Sequence, residues 1–264
     1  MKYLKEYWKD KGMELYYIWL ECIKGLGPQI CHNLLYEYGT PEIIYKNRLS
    51  LAPTAKITSH QIDLINADAD GALEKAKQIL ENCKRLGIRT IKYTDPEYAE
   101  NIKQYTDFPI LFYARGNVKD NWTHGVGIVG ARHCSAEGKA CAIKISTQMV
   151  KKGCPVISGM AKGIDSYAHT AAIMNDGFTV AVLGYGIDQC YPIEHLALKT
   201  KIEEKGLLIS EYPPRTPPRQ FYFPKRNRII AGLADILYVI DTGKRSGTET
   251  TIKAAERYGK KIEY

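Results

Sequence analysis

The chain has 264 residues, 45% of them hydrophobic and 25% charged. That composition is ordinary for a globular protein and excludes disordered, collagen-like and disulfide-stapled classes; the length allows one large domain or two small ones. The formal net charge of +8 is uneven, with +1 over residues 1–86 and +7 over 87–264. Such a balance suits a polyanionic partner of the C-terminal two-thirds. No run of 18 apolar residues occurs, and Met1–Asp10 is charged. Neither a spanning helix nor a signal peptide is expected, which reads as a cytoplasmic protein without a membrane partner. The seven cysteines, Cys22, Cys31, Cys83, Cys134, Cys141, Cys154 and Cys190, form no C-x-x-C and no Cys/His zinc spacing. They read as reduced thiols, and no metal site is expected.

Met13–Lys24, Gln29–Tyr38, Pro41–Lys46, Ser59–Asn66 and Gly71–Leu86 have helical apolar spacing with Gly, Pro, Ser or Thr at an end. They predict a small all-α domain over residues 1–86. From Ile88 the pattern changes. Apolar, β-rich runs are predicted as strands at Ile88–Tyr93, Ile110–Ala114, Gly125–Val129, Val156–Ser158, Thr179–Leu183, Leu207–Ser210 and Ile236–Ile240. Between most of them lie predicted helices, Ser135–Lys152, Ile164–Asp176, Glu194–Lys205 and Thr248–Tyr258. Alternation of this kind predicts an α/β domain over 87–264, a mostly parallel sheet with helices on both faces. Ile262–Tyr264 enters a further strand, so a C-terminal segment is expected to be absent from this chain.

Gly125-Val-Gly127-Ile-Val-Gly130 matches G-x-G-x-x-G letter for letter. A dinucleotide site needs that motif after a strand and opening a helix, so that the pyrophosphate meets the helix N-terminus. Here the glycines fall inside the predicted strand, and no acidic residue ends a second strand about 20 residues on. No cofactor is expected. In the turn that follows, Ser135 can cap the next helix. Arg132 sits at the carboxyl end of a parallel strand, where such sheets bind ligands, or is a plain surface arginine.

Ser158–Asp165 again leads from strand to helix. Gly159 and Gly163 permit a tight turn that presents N–H groups to an anion, with Lys162 beside it. P-loop spacing is absent. Asp165 and His169, four apart on the helix, could pair. Tyr212–Ala234 holds no acidic residue but carries Arg215, Arg219, Lys225, Arg226 and Arg228, with Phe221, Tyr222 and Phe223 among them. Cations that neutralise phosphates, next to rings that stack on bases, are what single-stranded nucleic acid needs. A solvated basic loop with core aromatics is the alternative. Pro224 suits a helix's first turn and puts Lys225–Arg228 at its positive end. Ser246-Gly247-Thr248 precedes a predicted helix and either binds an anion or caps it. Gly25-Leu26-Gly27-Pro28 reads as a hairpin able to touch phosphates, or as packing alone.

Six blocks occur in one order: Gly127–Arg132, Ser158–Asp165 with Ala168-His169, Val182–Asp188 with Tyr191-Pro192, Ser210–Pro213, Phe223–Ile230 and Ser246–Thr248. In that order they resemble the DNA-processing protein A family (DprA, also called Smf) over about 88–264. The helices before them resemble, less specifically, that family's helix-hairpin-helix or SAM-like domain. The resemblance implies an extended Rossmann-like domain and a single-stranded-DNA-binding protein that protects incoming strands and helps load the RecA recombinase during natural transformation. It also implies a homodimer and no enzymatic activity. Carried over by motif, the DNA-binding residues are Arg132, Gly159, Lys162, Phe223, Arg226, Asn227, Arg228, Ser246, Gly247 and Thr248. The competing readings are a nucleoside-monophosphate phosphoribohydrolase-like enzyme and a nucleotide-sensing module of related fold. That enzyme's P-G-G-x-G-T-x-x-E loop survives here only as Gly247-Thr248.

Overall fold

The computed structural model describes residues 13–98, 100–119, 122–241 and 247–264. It divides into two units, one of residues 1–98 and 103–112, the other of 99–102 and 113–264.

The first unit is helical up to its last element. Residues 13–22 form α1, followed by α2 (Pro28–Tyr38), α3 (Pro41–Lys46), a 3-10 turn (Arg48–Ser50), α4 (Ser59–Ala67), α5 (Ala69–Arg85) and the short strand β1 (Arg89–Lys92). Local chemistry sets these boundaries. Pro28 and Pro41 open their helices, where a missing N–H costs nothing. Thr58 and Gln61 form a reciprocal capping box on α4, satisfying two donors the helix leaves unpaired. Ala69, Ala72, Ala76, Ile79 and Cys83 make a buried stripe on α5, at the spacing of one helix face. Trp19 is fully buried, and its indole N–H donates to Ala69 O at 2.9 Å.

The second unit contains α6 (Glu100–Lys103), β2 (Leu111–Gly116), β3 (Gly125–Gly130), α7 (Ala136–Lys151), β4 (Val156–Ser158), α8 (Ile164–Met174) and β5 (Thr179–Leu183), with α6 and β2 beginning or ending at the division. A 3-10 turn (Ile193–His195), α9 (Leu196–Lys205), β6 (Leu207–Ser210), α10 (Tyr222–Leu233), β7 (Ala234–Ile240), α11 (Glu249–Arg257) and β8 (Lys261–Glu263) complete it. Its strands lie in the order β2-β6-β5-β4-β3-β7-β8. All neighbours are parallel except β2, which runs antiparallel to β6. The expected α/β class and mostly parallel sheet are therefore present. Val156–Ser158, Thr179–Leu183 and Leu207–Ser210 fall where the apolar runs place them, and every residue in them is buried. Continuous apolar runs are what a strand covered on both faces requires.

Chain order and spatial order diverge twice: β2 lies beside β6 rather than β3, and β7 follows β6 in the chain but lies beside β3. From β3 the chain steps outward through β4, β5 and β6, then returns to lay β7 on the other side of β3. The crevice between β3 and β7 is thus a topological switch point, where open α/β sheets bind ligands at their carboxyl ends. Val126 and Ile128 of β3 pack with Ala142 and Val150 of α7 and with Ile164, Ala168 and Ala172 of α8. The opposite face is covered by α10 and α11, which pack together. The three glycines of Gly125–Gly130 all lie within β3, so the G-x-G-x-x-G lettering opens no helix.

Candidate nucleic-acid interface

Loops from the carboxyl ends of β3, β4 and β7 converge at the switch point, and backbone contacts lock them together. Ser135 caps α7 by accepting from Gly138 N at 3.0 Å. Asp241, at the end of β7 with φ +55°, accepts from Ser135 N. Thr248 is buried and its hydroxyl donates to Gly130 O at 3.3 Å. Gly163 has φ +79°, and a Cβ there would lie 2.2 Å from Ala131 O. Ile164 N donates to that same carbonyl at 3.2 Å. Only glycine allows the two loops to approach so closely.

Beneath the β4–α8 loop runs Arg226, which α10 carries inward; it is 3% exposed. Its Nη1 donates to Gly159 O at 2.8 Å and to Val182 O. Its Nε donates to Asn227 Oδ1 at 3.1 Å. A Cβ on Gly159 would lie 2.5 Å from this guanidinium, so the glycine makes room for the arginine. Buried Asp165 accepts from Gly159 N at 3.1 Å and Ala161 N at 3.4 Å. Burial raises the Asp165 pKa, while the Arg226 charge and those N–H groups pull the other way. Burial likewise lowers the Arg226 pKa, against the Asp165 charge. Desolvation therefore outweighs attraction on both, and each charge depends on the other to remain in the interior.

Asp165 and His169 take different partners rather than pairing. His169 Nδ1 lies 2.7 Å from Thr179 Oγ1. That hydroxyl donates its proton to Val156 O, so Nδ1 is the donor to it. Burial first, then the Arg226 and His195 charges, lower the His169 pKa to about 3. His195 Nδ1 donates to Met160 O at 3.1 Å, steadying a residue held at φ +58°.

Above this floor lies an open groove of about 590 Å³, beside a smaller cavity of about 70 Å³. The groove is lined by Arg132, Phe223, Arg226, Asn227, Gly247 and Thr248; the small cavity by Arg132, Gly159, Lys162, Phe223 and Arg226. Eight of the ten expected site residues thus meet at one place. Two stand apart. Arg228 faces Glu211 in a two-pronged ion pair, at 3.0 and 2.6 Å, and lines neither cavity. Ser246 lies outside the described residues. Lys162, half exposed, pairs with Glu194 at 2.7 Å, and this bond is the main cause of a lowered Glu194 pKa. Asn227 Nδ2 donates to Gly247 O and Thr250 Oγ1, joining α10 to the start of α11.

Motif carry-over omitted Tyr191, which lines both cavities and is 46% exposed. Its only sequence signal is a Tyr-Pro pair in the loop after β5. The inward turn of Arg226 did have a signal. It precedes Ile229, Ile230 and Leu233 by three, four and seven residues, the spacing of one helix face. Among the described residues no group of three or more His, Cys, Asp or Glu could hold a metal ion, and no helix is long and apolar enough to cross a membrane.

A doubly wound sheet with a cationic, aromatic-walled groove at its switch point defines an extended Rossmann-like domain. Residues 89–264 match the model of the family described as DNA recombination-mediator protein A, and the chain belongs to that family. It is 31% identical over 254 residues to the protein Smf of Synechocystis sp., covering 94% of this chain and 63% of that protein. It is 33% identical over 189 residues to DNA processing protein DprA of Bacillus subtilis, covering 71% and 64%. The chain spans a little under two thirds of the length of these curated relatives. Among solved structures, DNA processing protein A of Streptococcus pneumoniae superimposes with a TM-score of 0.75 at 29% identity, covering 94% of this chain and 85% of that one. The Helicobacter pylori protein, described for its single-stranded DNA binding mode, gives 0.60 at 25%, covering 66% and 79%.

Proposed function

We propose that this chain binds single-stranded DNA in the switch-point groove with little sequence preference. The supporting observation is the convergence of Arg132, Asn227 and Phe223 on the open groove and of Arg132, Lys162 and Phe223 on the small cavity beside it, over a floor braced by Arg226. Cations there neutralise phosphates, and rings there meet bases. The Helicobacter pylori relative is described as binding single strands. In this reading the protein protects incoming strands and helps load RecA, as a cytoplasmic homodimer. Residues 1–86 supply the helix-hairpin-helix or SAM-like domain and 87–264 the DNA-binding domain.

The reading also assigns no catalytic role. Where the phosphoribohydrolase motif has its glutamate, three residues after Thr248, this chain has the buried Thr251. Glu249 is paired with Lys253 at 2.6 Å. The test is a titration against single strands, duplexes of equal length and mononucleotides at two salt concentrations. Tightest binding to single strands, weakening with salt, is expected. Equal binding to duplex, or release of a base from a nucleoside monophosphate, would overturn it.

A further inference from the structure

We propose that Tyr191 is the base-stacking platform of this groove, an inference that rests on the single-strand reading above. Three observations carry it. Tyr191 is half exposed, whereas its ring neighbour Tyr185 is buried. Its ring is held in place, 5.5 Å from Phe223 at 34° and 6.5 Å from Tyr185 at 78°. Its backbone is also held, because the Tyr185 hydroxyl donates to Tyr191 O at 2.7 Å.

The setting is what a nucleotide needs. Tyr191 lines both cavities, as do Arg132 and Arg226, and Lys162 lines the smaller one. A base on the ring would leave its phosphates among those cations. An aromatic face accepts any base, which accords with binding that ignores sequence. A ring already ordered by two neighbours loses little rotational freedom on stacking. Stacking uses the aromatic face and not the hydroxyl, so the ring is the part this role requires.

Stacking and phosphate contacts have different salt signatures. Phosphate contacts release counterions, so Lys162→Ala lowers the log–log salt slope by about 0.7. A neutral ring releases none. Labelled oligothymidylate is titrated into the unmodified chain, Tyr191→Ala, Tyr191→Phe and Lys162→Ala at several salt concentrations. Tyr191→Ala is expected to weaken binding between about five- and 150-fold with an unchanged slope. Tyr191→Phe, which keeps the ring, restores binding to within about twofold. In Tyr191→Trp, emission is quenched by oligothymidylate but not by an abasic phosphodiester strand of equal length. If the unmodified chain binds and Tyr191→Ala binds equally well, or loses slope as Lys162→Ala does, the stacking role is wrong and the single-strand reading stands. If the unmodified chain binds no single strand, both fall together.

Discussion

Replacing Arg226 with methionine tests the brace under the groove. The change keeps the side chain long and apolar but removes the buried charge. Gly159 O and Val182 O lose their donor, at about 1 kcal/mol or more each. Asp165 keeps its backbone donors, Gly159 N and Ala161 N, but loses the neighbouring charge. An uncompensated buried charge costs about 3–5 kcal/mol. Protonation limits that cost. Bringing a carboxyl of ordinary pKa near 3.9 to its neutral form at pH 7 costs about 4 kcal/mol, and at pH 5 about 1.5 kcal/mol. The folded Asp165 pKa already lies above its unfolded value, and losing Arg226 raises it further. The stability contribution of such a group is complete below the unfolded pKa and is lost as pH rises through the folded one. The penalty of Arg226→Met should therefore be about 3–5 kcal/mol near pH 7.5 and shrink by more than half near pH 4.5. Relief of His169, whose pKa the Arg226 charge helps depress, acts in the same direction. Adding Asp165→Asn should recover much of the loss at pH 7.5 and flatten the pH dependence. Urea titrations at both pH values, read by hydrogen exchange over residues 156–183, measure this. A penalty below about 1 kcal/mol at pH 7.5, or one equal at both pH values, would refute the coupled-charge account.

Glu194→Gln should tighten single-strand binding severalfold by releasing Lys162, with the gain shrinking as salt rises; looser or unchanged binding in an anisotropy titration contradicts this. Arg228→Ala should act mainly on stability, losing about 1–3 kcal/mol with its two-pronged bond to Glu211, while the salt slope of binding stays put. A slope reduced by about 0.7 would instead place Arg228 on a phosphate. His169 has a depressed pKa, so the stability it confers is present above its unfolded value near 6.5 and is lost as pH falls toward about 3. That acid limb has a slope of up to about 1.4 kcal/mol per pH unit. His169→Gln should flatten it, as measured by urea titration between pH 4 and 7.

The sheet was readable because its central strands are covered on both faces, which turns each into an uninterrupted apolar run. Strand direction was not readable. Nothing in Leu111–Gly116 distinguishes an antiparallel neighbour from a parallel one, since that choice is made by pairing with residues about 100 positions away. The four-residue α6 was not predicted either, being too short to show a period. At the site, the loop positions followed from βα alternation. What each side chain does there depended on depth. Gly159 reads equally well as an anion nest or as clearance for a guanidinium, and the structure shows that clearance. Arg226 and Arg228 look alike in Lys-Arg-Asn-Arg, yet 100° of helix rotation per residue sends one inward and the other toward Glu211.

The switch point also sets the timing of biogenesis. β3 pairs with β7 along Gly125–Gly130 and Ala234–Ile240, so its second edge stays open until more than 100 further residues have been made. At about 5–20 residues per second, that wait is roughly 5–20 s on the ribosome. Through it, a strand of six residues with three glycines offers unpaired N–H and C=O groups to any passing chain, and open edges of this kind promote aggregation. The bond from Thr248 to Gly130 spans 118 residues. The groove therefore takes shape only once the chain has been made as far as Thr248, and a nascent chain stopped before β7 lacks the segment that closes onto Gly130.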